Sequence, residues 1–238
     1  MSSASAEITR IEPLRPRGLR VRIHLDRGEP LEISLEALER SRLGVGDALL
    51  SDRRRHLLDA DADIRVREAA LHLLSFRARS CQELRNKLRQ KGFRPARIDT
   101  CLDQLQRRGL LDDAAVAAAF VRDRLRFRPR GKAKLSSELR AKGIRAEIVD
   151  QTIERVFEDE DASDARLAQE VTEGWISRQG AVVQAALASG APTPEREKAR
   201  RRLYGYLVRR GFGGGALAEA MERVEELARR RSPPPPRP

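Results

Sequence analysis

Hydrophobic and polar positions alternate with two different periods along this chain. Leu19, Val21, Ile23 and Leu25 alternate with Arg20, Arg22, His24 and Asp26, the period of two of a half-buried strand. Asp26, Arg27, Gly28 and Glu29 signal a turn, and Leu31, Ile33 and Leu35 then alternate again, so the two runs predict a hairpin. Residues 8–12 fit a third strand ended by Pro13 and Pro16, and Ser34 opens a short helix over 35–41. The loop at 43–47 holds Gly44 and Gly46, which lack the spacing of a dinucleotide loop. The first 60 residues thus predict a small β-rich module.

From residue 64 onward the period is helical and the pattern repeats. With Gly92, Gly143 and Gly211 as anchors, Leu84, Leu135 and Leu203 stand eight positions before, and Leu88, Leu139 and Leu207 four before. Lys91, Lys142 and Arg210 stand one before; Phe93, Ile144 and Phe212 stand one after. Ile98, Val149 and Leu217 follow at six, Leu102, Ile153 and Met221 at ten, Leu105, Val156 and Val224 at thirteen. The paired leucines share one helical face, each glycine takes the left-handed position that ends the helix, and the later offsets are the apolar stripe of the next helix. Each basic residue ahead of the glycine complements the negative end of the helix dipole.

Helix starts carry cap signals: Ser80 with Glu83 as a capping box, Pro95 in a first turn, Asp112 and Asp113, Ser163 with Asp164, and Thr193 with Pro194. A preceding helix completes each unit, over 64–77, 113–127 and 163–177. Gapless alignment of the first two pairs Leu74 with Leu125 and Phe76 with Phe127. The predicted fold is mainly α: three tandem three-helix repeats at 64–109, 112–157 and 161–231, forming an elongated curved array behind the β-rich module. An insertion at 179–192 is a loop or frayed helix. Residues 232–238, rich in proline, are expected to form a disordered tail. Trp175 shares its helix with Leu167 and Val171 and is expected in the core.

A chain of 238 residues is long enough to bury a core without disulfides. With only 4% aromatic residues, that core rests on Leu, Ile, Val and Ala. The longest apolar run, 114–121, is far short of the ~20 residues of a membrane span. The first residues lack the basic and apolar regions of a secretion signal, so a cytoplasmic location is expected. Cys81 and Cys101 fit no metal spacing and are expected as free thiols; His24, His56 and His72 fall in separate segments.

Charge changes the picture most. The formal net charge is +12, which favours a polyanionic partner. Residues 61–157 carry +10 of it, while 1–60 and 158–238 carry +1 each. The densest stretch, 122–145, has ten basic residues against Asp123 and Glu138. Within it Arg122, Arg124, Arg126, Arg128, Arg130, Lys132 and Lys134 fall at every second position, an arrangement that only a strand would put on one face. Arg128, Pro129, Arg130 and Gly131 mark a helix break. Phe127 beside that break is placed to stack on a base, although its alignment with Phe76 favours packing.

These residues also carry a family resemblance. Gly109, Leu110, Leu111, Asp112 and Asp113 ahead of 114–120 resemble the Gly-aromatic-Leu-Asp-Asp segment of the RecX proteins, regulators of the RecA recombinase. Residues 131–144, with Lys132, Leu135, Leu139, Lys142 and Gly143, resemble their central repeat, and 80–93 resembles their first. The likeness covers 64–157 well and 161–231 more loosely; 1–60 is similar to an N-terminal extension that some members carry. Leu110 departs from the usual aromatic, and the third repeat has the insertion.

The resemblance implies a non-enzymatic regulator that lies in the groove of the RecA–DNA filament, limits filament growth and lowers the recombinase's ATP hydrolysis and coprotease activity. It implies no cofactor, no metal and no membrane, a monomer, and weak binding to single- or double-stranded DNA. The contact surface expected from the charge distribution comprises Lys87, Lys91, Arg122, Arg124, Arg126, Arg128, Arg130, Lys132, Lys134, Arg140, Lys142 and Arg145. Two other functions compete. The glycine junctions resemble helix-turn-helix motifs, which suits a direct DNA-binding protein. The helices after Gly92 and Gly143, however, offer Arg97, Asp99 and Thr100, then Glu147, Asp150 and Gln151, too acidic for a groove reader. A metal-dependent nuclease would need clustered carboxylates. Asp112 with Asp113 and the acids at 158–161 are candidates by count, but they sit at helix starts, where acids stabilise the dipole.

Overall fold

The computed structural model describes residues 5–15 and 19–231, so Pro16 and the proline-rich segment 232–238 lie outside the described residues. The elements in chain order are β1 (Ala6–Pro13), β2 (Arg20–Leu25), β3 (Leu31–Ser34), α1 (Leu35–Ser41), β4 (Ala48–Leu49) and α2 (Ser51–Phe76). There follow α3 (Cys81–Gln90), α4 (Pro95–Arg107), α5 (Asp113–Phe127), α6 (Lys132–Ala141) and α7 (Ala146–Asp159). The last are α8 (Asp164–Ile176), α9 (Ala181–Ser189), α10 (Pro194–Arg209), α11 (Gly214–Glu222) and α12 (Val224–Arg231). The chain divides into two compact units, Met1–Arg79 with Glu83–Leu111, and Ser80–Gln82 with Asp112–Pro238.

In the first unit the strands form one antiparallel sheet in the order β3-β2-β1-β4. The expected hairpin pairs Val21 with Ile33 and Ile23 with Leu31. Leu19, counted as the first apolar position of that strand, lies just ahead of it and is 70% exposed. Ile8, Val21, Ile23, Ile33, Leu38 and Leu49 form the core of this module, and Leu57 and Ile64 from α2 pack into it. The helix expected to begin at 64 therefore begins at Ser51. Its first turns carry few apolar residues in helical register, so periodicity did not announce them; burial of Leu57 against the sheet supplies the stabilisation. Asp61 ties the two layers: its carboxylate accepts from the Ser34 backbone N–H at 2.6 Å and lies 3.6 Å from Arg20.

The repeat register appears directly in the hydrogen bonds. The amides of Phe93, Ile144 and Phe212 donate to the carbonyls of Leu88, Leu139 and Leu207, and those of Gly92, Gly143 and Gly211 to Arg89, Arg140 and Val208. This is the paired closure of a Schellman ending. All three glycines have positive φ, at 85°, 76° and 87°. Leu88, Leu139 and Leu207 are fully buried; Ile144 and Phe212 are buried beside them, while Phe93 is only half-buried. Asp112, Ser163 and Thr193 cap their helices through side-chain oxygens. Trp175 lies in the core of the second unit.

The second unit repeats one joint. The Cys81 N–H donates to Asp113 Oδ1 at 2.8 Å, and the Lys132 N–H donates to Asp164 Oδ1 at 3.1 Å. Ser80 Oγ donates to the Lys142 carbonyl, and the Gly131 N–H donates to the Arg210 carbonyl. Both receiving carbonyls belong to the residue before an anchor glycine. A Cβ on Gly131 would lie 2.7 Å from the Gly211 carbonyl carbon, so backbone there rests on backbone. The insertion at 179–192 contains α9, which packs against α10 and α12 and buries Leu187. The last helix of the third repeat breaks at Arg223, so Val224 opens a new helix.

Burial sets one pH effect in this joint. Desolvation raises the Asp164 carboxyl above its ordinary 3.8, opposed by the Lys132 amide and ammonium. A raised carboxyl favours the folded state most below 3.8 and withdraws that contribution as pH rises through its folded value. Asp164→Asn keeps the acceptor for Lys132 and removes the buried charge. Unfolding in urea should therefore show a smaller loss of stability between about pH 4 and neutrality than in the native chain. An unchanged pH profile would contradict this.

Candidate functional site

The alternating basic run does not form one face. Pro129 cannot continue a helix, and α5 stops at Phe127, with Arg128 outside the helical region (φ −149°, ψ 68°). Arg122, Arg124 and Arg126 therefore ride on α5, Arg128 and Arg130 on the connector 128–131, and Lys132 and Lys134 on α6.

Much of the charge is spent internally. Arg122 bridges Asp159 and Glu160. Arg124 and Arg130 both face Glu138, at 3.6 and 3.4 Å, with Arg124 also on Asp123. Lys132 pairs with Glu154, and Arg140 with Asp150. Phe120 lies under two cations, the Arg124 guanidinium at 4.3 Å and the Lys142 ammonium at 5.5 Å. Asp159 and Glu160, two of the acids counted toward a metal site, lie at the C-terminal end of α7 rather than at a helix start and are salt-bridge partners there, while Asp112 is a helix cap. Among the described residues no group of three or more His, Cys, Asp or Glu is arranged to hold a metal ion.

Arg126, Arg128, Lys134 and Arg145 have no carboxylate partner among the described residues of their unit. In the first unit Lys87 reaches Gln90, and Lys91 lines a cleft of about 330 Å³ with Arg65, Arg94 and Arg97. Arg97 is committed there to Asp59 and Asp63, which raise its pKa further.

The break at Pro129 builds a second feature. Phe127, Arg128 and Pro129 face Gly174 and Arg178 from the α8 end and Tyr206 and Arg210 from α10 across a cleft of about 200 Å³. Arg210 is held at the Pro129 carbonyl (3.1 Å), with its guanidinium 4.6 Å from the Tyr206 ring centre. Arg178 donates to the Tyr206 hydroxyl at 3.3 Å. Glu170 is the acid on this lining, and it pairs with Arg166. Phe127 is 67% exposed, so the packing role suggested by its alignment with Phe76 is wrong, and Phe76 is itself 70% exposed. Both rings fall at helix ends, beyond the stripe that faces the core. Arg210 was legible as the third member of the basic series before the glycines. Arg178 and Tyr206 carry no repeat signal and were missed.

Residues 67–105 match the family pattern described as "RecX, first three-helix domain", and 112–153 match "RecX, second three-helix domain". A relative from Halorhodospira halophila named "Regulatory protein RecX" is 32% identical over 161 residues, 68% of this chain and 89% of its own length. One of the same name from Corynebacterium efficiens is 33% identical over 206 residues, 84% of this chain and 90% of its own. The fold is similar to a solved structure titled "Crystal structure of regulatory protein RecX", with a TM-score of 0.68, 22% identity and coverage of 91% of this chain and 99% of that one. A RecX structure from Lactobacillus salivarius has a TM-score of 0.56 at 18% identity, covering 70% of this chain and 99% of its own.

Proposed function

The chain belongs to the RecX family of regulatory proteins, and from that premise we propose that it regulates the RecA recombinase by binding the recombinase–DNA filament in its groove, limiting filament growth and lowering recombinase activity. In this role it works as a monomer, without cofactor or catalytic step, in the cytoplasm. The observation that carries the proposal is a repeat scaffold whose +10 excess is confined to 61–157, the span of the two matched three-helix domains. Repeat arrays present extended faces suited to long partners. The proposed contact surface is drawn from the twelve basic residues singled out in the sequence. In the second unit its most available members are Arg126, Arg128, Lys134 and Arg145, whose charge is not consumed by a neighbouring carboxylate among the described residues, and Lys87 and Lys91 match them in the first.

A pull-down of the full chain against RecA, with and without single-stranded DNA, tests the partner. Retention should be strongest when recombinase, nucleotide and DNA are all present. Retention by DNA alone, unchanged when recombinase is added, would favour the direct DNA-binding alternative.

A further inference from the structure

We propose that the cleft where the C-terminal ends of α1 and α4 meet α2 is a binding site for a small polyphosphate, the di- or triphosphate of a nucleotide or its inorganic equivalent. The site lies wholly within the first unit, shares no residue with the proposed filament contact surface, and does not rest on that reading.

Three observations support it. First, cations converge there in excess. The cleft, of about 420 Å³, is lined by Arg40 of α1, Arg67 of α2, and Gln104, Arg107 and Arg108 at the end of α4, with no carboxylate on the lining. Glu36 is shared by two of the four arginines, lying 2.6 Å from Arg40 and in contact with Arg67. Arg107 donates to the Asp103 carbonyl, and neither it nor Arg108 has a carboxylate partner among the described residues. Elsewhere in the unit guanidiniums meet acids: Arg22 meets Glu32, Arg85 meets Asp99, and Arg97 meets both Asp59 and Asp63. Glu36 and the half-charges at the negative ends of α1 and α4 still leave about two positive charges unmatched. Second, the donors are positioned before a ligand arrives. Glu36 holds Arg40 and Arg67 together, and only 24% of the Arg67 side chain is exposed. Each guanidinium has five N–H groups, so those spent on Glu36 leave others for bidentate contact with phosphate oxygens. Third, size selects a compact ligand. The volume falls within the ~300–1,000 Å³ of small-molecule sites. The cleft shares Arg40, Arg67 and Gln104 with a recess of about 150 Å³ that adds Ile64, Thr100 and Cys101 to the wall. A nucleic-acid backbone spaces single charges along a line, whereas guanidiniums gathered on one cleft match charges gathered on adjacent phosphates. A polyphosphate bound there would bridge α1 of the β-rich module to α4 of the first three-helix domain and stiffen the first unit.

The test uses the full chain without recombinase or DNA and titrates in inorganic triphosphate, ATP and sulfate by calorimetry, at constant ionic strength and without magnesium. Triphosphate and ATP should each bind at least roughly ten-fold more tightly than sulfate, and each should raise the unfolding temperature. Tighter binding of ATP than of triphosphate would support the site with the nucleoside in the recess; equal binding would support it with the phosphates alone. Arg107→Gln and Arg108→Gln, at exposed positions of a helix end that keep the fold, should each weaken triphosphate binding roughly ten-fold. Arg126→Gln and Arg128→Gln, in the second unit, should leave it unchanged. Triphosphate bound no more tightly than sulfate, indifference to Arg107→Gln and Arg108→Gln, or an equal loss in the second-unit variants would each overturn the proposal. Displacement of triphosphate by added oligothymidylate would also overturn it, by giving the cleft to nucleic acid. With no recombinase in the assay, any of these results would leave filament regulation standing.

Discussion

Gly211→Ala is expected to destabilise the second unit by about 2–4 kcal/mol, far more than the same change at Gly92. Both glycines hold left-handed backbone, at 87° and 85°, and an alanine at either position costs about 1 kcal/mol from that cause alone. They differ in surroundings. A Cβ on Gly92 meets nothing within 4 Å, whereas on Gly211 it would lie 2.6 Å from the Lys134 backbone nitrogen and 2.9 Å from its Cα. Backbone cannot swing aside as a side chain can, so overpacking adds about 1–3 kcal/mol. Urea unfolding of the two variants isolates the joint between α6 and the α10 ending. Equal destabilisation would show that the joint contributes nothing to stability.

Reversing Arg126, Arg128 and Arg145 to Glu should weaken binding to the recombinase–DNA filament by an order of magnitude or more at moderate salt. The log–log salt slope should fall by about 0.9 for each phosphate left without its arginine. Reversal of Arg130 and Lys132 should act differently. Those groups face Glu138 and Glu154, so their replacement sets like charges together and lowers stability before it changes the salt slope. A slope insensitive to Arg126, Arg128 and Arg145 would remove these residues from the binding surface.

The parts legible in the sequence were those governed by local rules. A left-handed glycine, a leucine face and a capping acid each leave a fixed spacing, so the three helix endings at Gly92, Gly143 and Gly211 and the caps at Asp112, Ser163 and Thr193 could be placed by residue. Features decided by tertiary packing left no such trace. The early start of α2 depends on Leu57 meeting the sheet, and α9 exists because Leu187 finds a pocket between α10 and α12. The approach of Gly131 to Gly211 joins positions eighty residues apart in separate repeats. Charge was legible in amount and not in availability. Only the folded arrangement shows that Arg122, Arg124, Arg130, Lys132 and Arg140 are neutralised by acids from other turns and helices, while Arg178 and Arg210 are not. The exposed Phe127 reversed its expectation because repeat alignment reports equivalence, and both equivalent rings face water.

The central claim, regulation of the recombinase filament, is tested most directly by titrating the full chain into RecA and measuring DNA-dependent ATP hydrolysis at two concentrations of single-stranded DNA. A regulator that blocks filament growth lowers hydrolysis when added well below the amount of recombinase, by the same fraction at both DNA concentrations. Inhibition that appears only when the chain covers much of the DNA, and that excess DNA relieves, would contradict the account.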